Sequence, residues 1–280
     1  MARLFGTDGV RGLANRDLTA DLALGLAQSA AVVLTSGRYA DARRAEGRRP
    51  VGVVARDPRI SGEFLTAAVS AGLASSGIDV LDAGVIPTPA AAFLVADIHA
   101  DFGVMISASH NAAPDNGIKF FGPDGFKLSD AAELEIEELV DGEIIPAKPE
   151  NIGRAKRIDD ALGRYQEYAK TTFPAGLRLD GLKVVIDCAN GAAYTAAQQV
   201  LWELGAEVIP VGVSPNGKNI NDRCGSTYTQ TAAEAVVAHG AHVGIITAVL
   251  QHLLCGLHIG FALLVAGVAA SSSGHVCVFA

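Results

Sequence analysis

The chain has 280 residues, of which 50% are hydrophobic and 19% are charged, and this composition excludes a disordered, collagen-like or disulfide-stapled small protein. Its 22 Lys and Arg against 30 Asp and Glu leave a formal net charge of -8, so we expect no nucleic-acid partner, because nucleic-acid binding requires a broad positive surface. The length is sufficient for two domains.

The first residues do not have the pattern of an export signal. Arg3, Asp8 and Arg11 interrupt the stretch in which a signal peptide would be apolar. The four cysteines form no CxxC pair and show no zinc-ligand spacing. We therefore expect reduced thiols and a cytoplasmic location.

Strands and helices alternate between residues 52 and 108. The apolar run Gly52–Ala55 predicts a strand, and the amphipathic stretch Glu63–Ser75 predicts a helix. Ile78–Pro89 predicts a second strand that ends in a proline turn before another helix, and Phe102–Ala108 predicts a buried third strand. The alternation indicates an α/β fold with mixed, largely parallel sheets sandwiched by helices, in which ligands bind at the carboxyl ends of the strands.

The polar segment Ile106–Gly125 begins at the end of that third strand, and we interpret it as a loop. It brings hydroxyl, imidazole, amide and ammonium groups together. Such a loop can present Ser109 as a nucleophile or phosphate carrier, with backbone N–H groups and Lys119 holding the anion. Ser, Asn, Asp and Gly are also the ordinary residues of turns, so the composition alone leaves both interpretations open.

A second βαβ pattern follows later in the chain. Leu182–Pro215 parallels Val51–Pro87, because each runs through an apolar strand, an Asp-bearing loop, a helix, a glycine, a strand and a proline. A repeated domain and two unrelated βαβ units would both give this similarity. The segment between them is polar and helix-rich. We predict one domain at 1–150, a helical connection at 151–180, an incomplete second domain at 181–245 and a divergent apolar tail at 246–280.

The tail carries no charge. No Asp, Glu, Lys or Arg follows Glu234, and residues 245–270 are long enough to cross a bilayer as a helix. Polar Gln251, two histidines and three glycines lie within that stretch, and no Lys or Arg follows it. We therefore expect no membrane partner, with a membrane-tethered protein as the alternative.

Five ordered motifs identify a family. They are FGTDGVRG at 5–12, RDPRISG at 56–62, IPTP at 86–89, ISASHN with DNGIKFF within 106–121, and DCANGAA at 187–193. In order and approximate spacing, residues 3–245 resemble bacterial phosphoglucosamine mutases of the α-D-phosphohexomutase superfamily. The resemblance implies repeated phosphohexomutase domains, with a phosphoserine loop in the first domain and an incomplete second domain.

The resemblance also implies an activity. These enzymes are intramolecular phosphotransferases that interconvert glucosamine 6-phosphate and glucosamine 1-phosphate through a phosphoserine, for amino-sugar and cell-wall precursor synthesis. The serine before His-Asn in the motif is Ser109, His110 matches a residue used for proton transfer or orientation, and Arg11 and Lys119 match cations of the phosphoryl-transfer site. A phosphorylated hexosamine is the implied partner, together with a second copy of the chain in a homodimer.

Magnesium is the implied cofactor, held by the phosphate on Ser109 and by three aspartates of a DGDxDR loop. This chain has IITAVLQHLLCG where that loop should follow the AHVGI strand, so the oxygen ligands that Mg²⁺ prefers are missing. The sequence therefore leaves two alternatives to a phosphoglucosamine mutase. One is a catalytically silent phosphosugar-binding or partner-binding fragment, and the other is a phosphomannomutase or phosphoglucomutase of the same superfamily.

Overall fold

A computed structural model describes residues 3–36, 39, 47–142, 144–247, 268–270 and 276–279. The chain divides into two compact units. Residues 1–108 and 114–161 form the first unit, and residues 109–113 and 162–280 form the second. The domain boundaries predicted from the sequence, 1–150, 151–180, 181–245 and 246–280, remain predictions.

The first unit contains a six-stranded mixed sheet with the order β1-β5-β4-β2-β3-β6. Strands β4, β2, β3 and β6 are parallel, and β5 runs antiparallel to both of its neighbours. The strands are β1 (Val10–Leu13), β2 (Val51–Arg56), β3 (Asp79–Val85), β4 (Phe102–Ile106), β5 (Asp115–Phe121) and β6 (Ala155–Arg157).

Helices cover both faces of this sheet. They are α1 (Ala20–Thr35), α2 (Ser61–Ser75), α3 (Thr88–Asp97) and α4 (Asp130–Val140). Apolar residues of α1, α2 and α4 form one core with the sheet, whereas α3 packs against β2 and β4. Close packing of α3 requires Gly103 on β4, because a Cβ there would lie 2.5 Å from Val95.

The second unit contains a five-stranded sheet with the order β10-β11-β9-β7-β8. Its two faces bury alternate residues of β7: Val184 and Ile186 pack in one core, and Val185 packs in the other. The elements are α5 (Ala161–Thr171), β7 (Lys183–Asp187), α6 (Ala196–Glu203), β8 (Glu207–Val211), α7 (Gln230–His239), β9 (Val243–Ile246), β10 (Val268–Ala270) and β11 (Val276–Phe279).

The architecture confirms the predicted fold class, with two local corrections. The expected loop at Ile106–Gly125 contains β5, because DNGIKFF pairs with strands on both sides and buries most of its side chains. The 151–180 segment also contains β6, which extends the first sheet by pairing with β3, in addition to α5.

The span considered at residues 245–270 lies mostly outside the described residues. Among the residues that the structure describes, no helix is both long and apolar enough to cross a membrane.

Candidate functional site

Ser109 lies three residues beyond the end of β4 and begins a short segment, residues 109–113, that we call the carrier loop. The backbone of Ser109 is in the left-handed region, with a φ of 56°. This conformation costs a residue with a Cβ roughly 1–2 kcal/mol, so neighbouring contacts must impose it. The hydroxyl Oγ lies 3.4 Å from Nδ1 of His110, which brings together two of the four predicted site residues.

The carrier loop is held by Asn221, which lies in none of the five sequence motifs. The side-chain Nδ2 of Asn221 donates to the backbone oxygen of Ser109 at 3.0 Å and to that of Asn111 at 2.9 Å. Both hydrogens of this amide are therefore directed at the loop.

The two predicted cations of the first unit share one carboxylate. Asp8 Oδ1 lies 3.7 Å from Nζ of Lys119, and Asp8 Oδ2 lies 3.3 Å from a terminal nitrogen of Arg11. Two positive groups around one negative group leave a net positive charge. This arrangement can attract an anion while keeping both cations oriented.

The pairing of β1 with β5 brings these cations together. Arg11 lies opposite Gly117, two residues before Lys119 on β5. A Cβ at Gly117 would lie 2.7 Å from the backbone oxygen of Ser107 and 3.0 Å from Cγ of Arg11, so only glycine leaves room for the arginine stem. Lys119 also lies over the ring of Phe121, with Nζ 5.7 Å from the ring centroid.

A buried ion pair supports the end of β4. Asp57 and Arg59 are 2% and 1% exposed, and Asp57 Oδ2 accepts from Nε of Arg59 at 2.9 Å. The same oxygen accepts from the hydroxyl of Ser107 at 2.6 Å, two residues before the proposed carrier. The pair thus fixes the strand end from which the carrier loop departs.

A second buried hydrogen bond joins the following helix to β5. Nδ2 of Asn116 donates to Oγ of Ser61 at 2.8 Å, and Oδ1 of the same amide accepts from the N–H of Gly117 at 2.8 Å. Ser61 is the first residue of α2. Three polar residues of RDPRISG, namely Asp57, Arg59 and Ser61, are therefore buried and hydrogen-bonded.

Asp187 organises the loops that follow β7 in the second unit. Its Oδ1 accepts from the N–H of Ala189 and its Oδ2 from the N–H of Gly225, both at 2.8 Å. Its backbone oxygen accepts from the N–H of Thr247 at 2.8 Å. Burial raises the pKa of Asp187 above its ordinary value, and the two backbone donors oppose that shift.

We expect Asp187→Asn to lower the free energy of unfolding of the second unit by about 1–3 kcal/mol, because the amide has only one acceptor oxygen for two buried N–H donors. The raised pKa gives this cost a pH dependence. The aspartate contributes its full stabilisation below the ordinary value of 3.8 and loses it as pH rises through the raised pKa. The cost of Asp187→Asn should therefore increase as pH falls.

Urea unfolding at several pH values, followed by the fluorescence of Trp202 on α6, measures this cost because the chain has one tryptophan. Asp180→Asn is the matched control. The exposed Asp180 pairs with Arg178, which lowers the pKa of Asp180, so the cost of that substitution should shrink as pH falls. A cost at Asp187 that does not change with pH would contradict the assignment.

The described thiols are not suited to nucleophilic chemistry at neutral pH. Burial, together with the nearby Asp187 charge, raises the pKa of Cys188 to about 12. Burial also raises the pKa of Cys224 to about 11. Both cysteines are free thiols, and both stay protonated at neutral pH.

The structure brings the four predicted site residues into two pairs: Ser109 with His110, and Arg11 with Lys119 through a shared carboxylate. Five residues that hold these pairs in place were not predicted from the sequence, namely Asp8, Asp57, Arg59, Asp187 and Asn221. Four of the five lie in the sequence motifs described above. Each of these four is a charged residue beside a glycine, a proline or the end of a strand, and that position could have indicated a structural role. Asn221 gave no such signal.

A family model described as phosphoglucomutase/phosphomannomutase, alpha/beta/alpha domain I, matches residues 2–144. A phosphoglucosamine mutase of Cereibacter sphaeroides (strain ATCC 17025 / ATH 2.4.3) is 65% identical over 250 residues, covering 87% of this chain and 53% of the relative. A phosphoglucosamine mutase of Dinoroseobacter shibae is 65% identical over 247 residues, covering 88% of this chain and 54% of the relative. The chain thus spans about half the length of the curated relatives it matches.

Solved structures agree on the fold. A phosphoglucomutase/phosphomannomutase family protein of Burkholderia thailandensis matches with a TM-score of 0.71 at 24% identity, covering 88% of this chain and 52% of that chain. Parafusin of Paramecium matches with a TM-score of 0.56 at 16% identity, covering 78% of this chain and 44% of that chain. The resemblance inferred from the motifs is confirmed.

Proposed function

Because the chain belongs to the phosphoglucomutase/phosphomannomutase family, we propose that it supplies the phosphate-carrying half of a phosphoglucosamine mutase. The observation that carries this proposal is the 65% identity to phosphoglucosamine mutases across 87% of the chain. The proposed reaction interconverts glucosamine 6-phosphate and glucosamine 1-phosphate. The proposed partner is therefore a phosphorylated hexosamine, and the proposed location is the cytoplasm.

In the proposed reaction, Ser109 carries the phosphoryl group. The bond between Oγ and phosphorus breaks as the free hydroxyl of the sugar phosphate attacks, which gives a sugar bisphosphate and the free serine. The other phosphoryl group of the bisphosphate then returns to Ser109 Oγ. We assign to His110 the removal or orientation of the proton that the attacking hydroxyl loses, a role supported by its contact with Ser109 Oγ.

Arg11 and Lys119 are the proposed cations for the transferred phosphate. Phosphoryl transfer depends chiefly on positioning and on neutralising spread charge, so fixed cations are the groups that it needs. The carboxylate of Asp8 between them supports this role, because it orients both cations without cancelling their combined charge.

The experiment uses a fused chain: residues 1–246 of this protein followed by the part of the Cereibacter sphaeroides relative that lies beyond its matching residues. Glucosamine 6-phosphate, a catalytic amount of the 1,6-bisphosphate and Mg²⁺ are supplied, and phosphorus NMR follows the product. We expect formation of glucosamine 1-phosphate. A fused chain that folds and loads no phosphate would refute the proposal.

We expect Lys119→Met in the fused chain to lower turnover by roughly 10²-fold with a smaller effect on stability, because the ammonium group is proposed to face developing phosphoryl charge. Kinetics beside thermal melting measure the two effects. Lys127→Met is the matched control, since Lys127 pairs with Glu133 at 3.2 Å on the same unit and has no proposed catalytic role. A large loss of stability with little kinetic change would make Lys119 a structural residue.

Magnesium, the cofactor that the family resemblance implies, does not fit the residues present. Within the described part of the chain, no group of three or more His, Cys, Asp or Glu is placed to hold a metal ion. Asp187, the carboxylate that ends β7, is occupied by two backbone donors. No Asp or Glu follows Glu234, so the segment after β9 supplies no carboxylate either. We therefore derive no step through the metal.

Because the carboxylates that would hold Mg²⁺ are missing, a second candidate function is favoured for the 280-residue chain. This function is the binding of a phosphosugar without turnover. The same assay on the 280-residue chain alone separates the two candidates. Binding of glucosamine 6-phosphate without product supports the silent function. Turnover comparable to that of the fused chain would overturn it.

A further inference from the structure

The carrier loop and the loop around Asn221 meet within the second unit. The amide of Asn221 faces two carbonyl oxygens that are two residues apart, those of Ser109 and Asn111. Only the NH2 end of the amide can satisfy both, because its oxygen would face another acceptor. The contact therefore fixes the orientation of the side chain as well as the position of the loop.

We propose that Asn221 is a positioning residue for Ser109: its amide holds the carrier loop so that Ser109 keeps the left-handed conformation from which the phosphorylated hydroxyl is presented. The proposal rests on the proposed function of Ser109 as phosphate carrier. Asn221 itself touches neither the phosphate nor the sugar in this role, since both hydrogen bonds of its side chain are made to backbone oxygens.

Most of the residues with a strained, positive φ lie in the second unit. Among the described residues, seven other than glycine have positive φ, and five of them lie in the second unit. These five are Ser109, Ala189, Asn190, Asn221 and Arg223. Strained residues persist only where the surrounding structure determines them, and they commonly mark positions at which a functional group must be aimed.

Two of these residues, Asn221 and Ala189, are connected to β7 by hydrogen bonds. The N–H of Asn221 donates to the backbone oxygen of Ala189 at 2.9 Å. The N–H of Ala189 donates to the buried carboxylate of Asp187 at the end of β7. A hydrogen-bonded path therefore runs from the end of β7 through Asn221 to the carrier loop.

The backbone conformation of Ser109 sets the direction in which its hydroxyl points. Rotation of Ser109 out of the left-handed region would turn its Cβ–Oγ bond away from its present direction. Misplacement of a reacting group by about 1 Å can cost about 10²-fold in rate, so a phosphate carrier needs contacts of this kind. Residues that bind the loop backbone can supply them without interfering with the phosphate.

The test uses the 280-residue chain with phosphoserine incorporated genetically at position 109. Phosphorus NMR titration reports the second pKa of the phosphate, which is about 6 for phosphoserine in water and falls when cations face it. Asn221→Gly removes the amide, adds no charge and accepts the left-handed backbone. Asn216→Gly is the matched control, because Asn216 lies in the loop just before and its side chain accepts only from the N–H of Lys218 in the contacts described.

In the unsubstituted chain we expect the phosphate pKa to lie below about 6. Asn221→Gly should return it towards that value. It should also accelerate hydrogen exchange in residues 109–113 by about tenfold or more, because two hydrogen bonds are lost and the net loss of one corresponds to about tenfold. Asn216→Gly should change neither quantity.

Two failures are distinguishable. A phosphate in the unsubstituted chain that titrates like free phosphoserine would count against the proposed function of Ser109. Unchanged exchange and an unchanged phosphate pKa in Asn221→Gly would overturn the positioning role. A lowered melting temperature with an unchanged phosphate pKa would also overturn it, since that result describes a purely structural residue.

Discussion

Replacing Ser109 by alanine in the fused chain is expected to abolish phosphate labelling and to lower turnover by on the order of 10⁴-fold or more, because the substitution removes the only oxygen proposed to carry the phosphoryl group. The melting temperature should change little, since alanine occupies a left-handed backbone about as poorly as serine. Labelling with the phosphorus-32 bisphosphate and mass spectrometry of the 107–121 peptide measure the loss.

Ser107→Ala is the control for that experiment. The hydroxyl of Ser107 donates to Asp57 at 2.6 Å, so its removal should lower stability while leaving the labelled site in place. The two serines should therefore show opposite patterns of labelling and stability. Undiminished labelling of Ser109→Ala would refute the assignment of the carrier.

Truncation of the buried ion pair should have the largest effect on stability. We expect Asp57→Ala to lower the free energy of unfolding of the first unit by about 3–5 kcal/mol, because it removes the carboxylate from an arginine whose side chain is 0% exposed. The hydroxyl of Ser107 loses the same acceptor. Urea-dependent hydrogen exchange of the β2 and β4 peptides measures the change in this unit.

An exposed pair on the same unit provides the comparison. Arg16 lies 2.8 Å from Asp17, with side chains 70% and 46% exposed, and such exposed pairs contribute little to stability because water and salt screen them. Arg16→Ala should therefore cost much less than Asp57→Ala. Equal costs for the two substitutions would show that burial does not govern the contribution of the Asp57 pair.

Local patterns were sufficient for the parallel strands and their helices. The apolar run that begins near Gly52 and the amphipathic stretch that ends at Ser75 appear in the structure as β2 and α2. The strand is a continuous apolar run that is buried throughout its middle, and the helix buries side chains at helical spacing; a sequence displays both patterns directly. The two βαβ units are likewise present, with β2 parallel to β3 and β7 parallel to β8.

Strand β5 was not predicted, because local sequence patterns do not contain the partners that stabilise it. DNGIKFF contains Asp, Asn and Gly, which favour turns, and yet it forms β5 between β1 and β4. The propensity of these residues is weak compared with two ladders of hydrogen bonds and a buried apolar face. Partners distant in sequence decide such a strand, and a local window does not contain them.

The sequence by itself determined the fold class, the family and the candidate residues Ser109, His110, Arg11 and Lys119, because motifs and apolar periodicity are properties of short segments. The tertiary structure decided which residues hold the candidates in place. Asp8 lies between two cations only once β1 pairs with β5, and Asn221 reaches Ser109 across 112 positions of the chain. Hydrogen bonds of this kind depend on distances between side chains and backbone that the chain acquires on folding, so no spacing in the sequence encodes them.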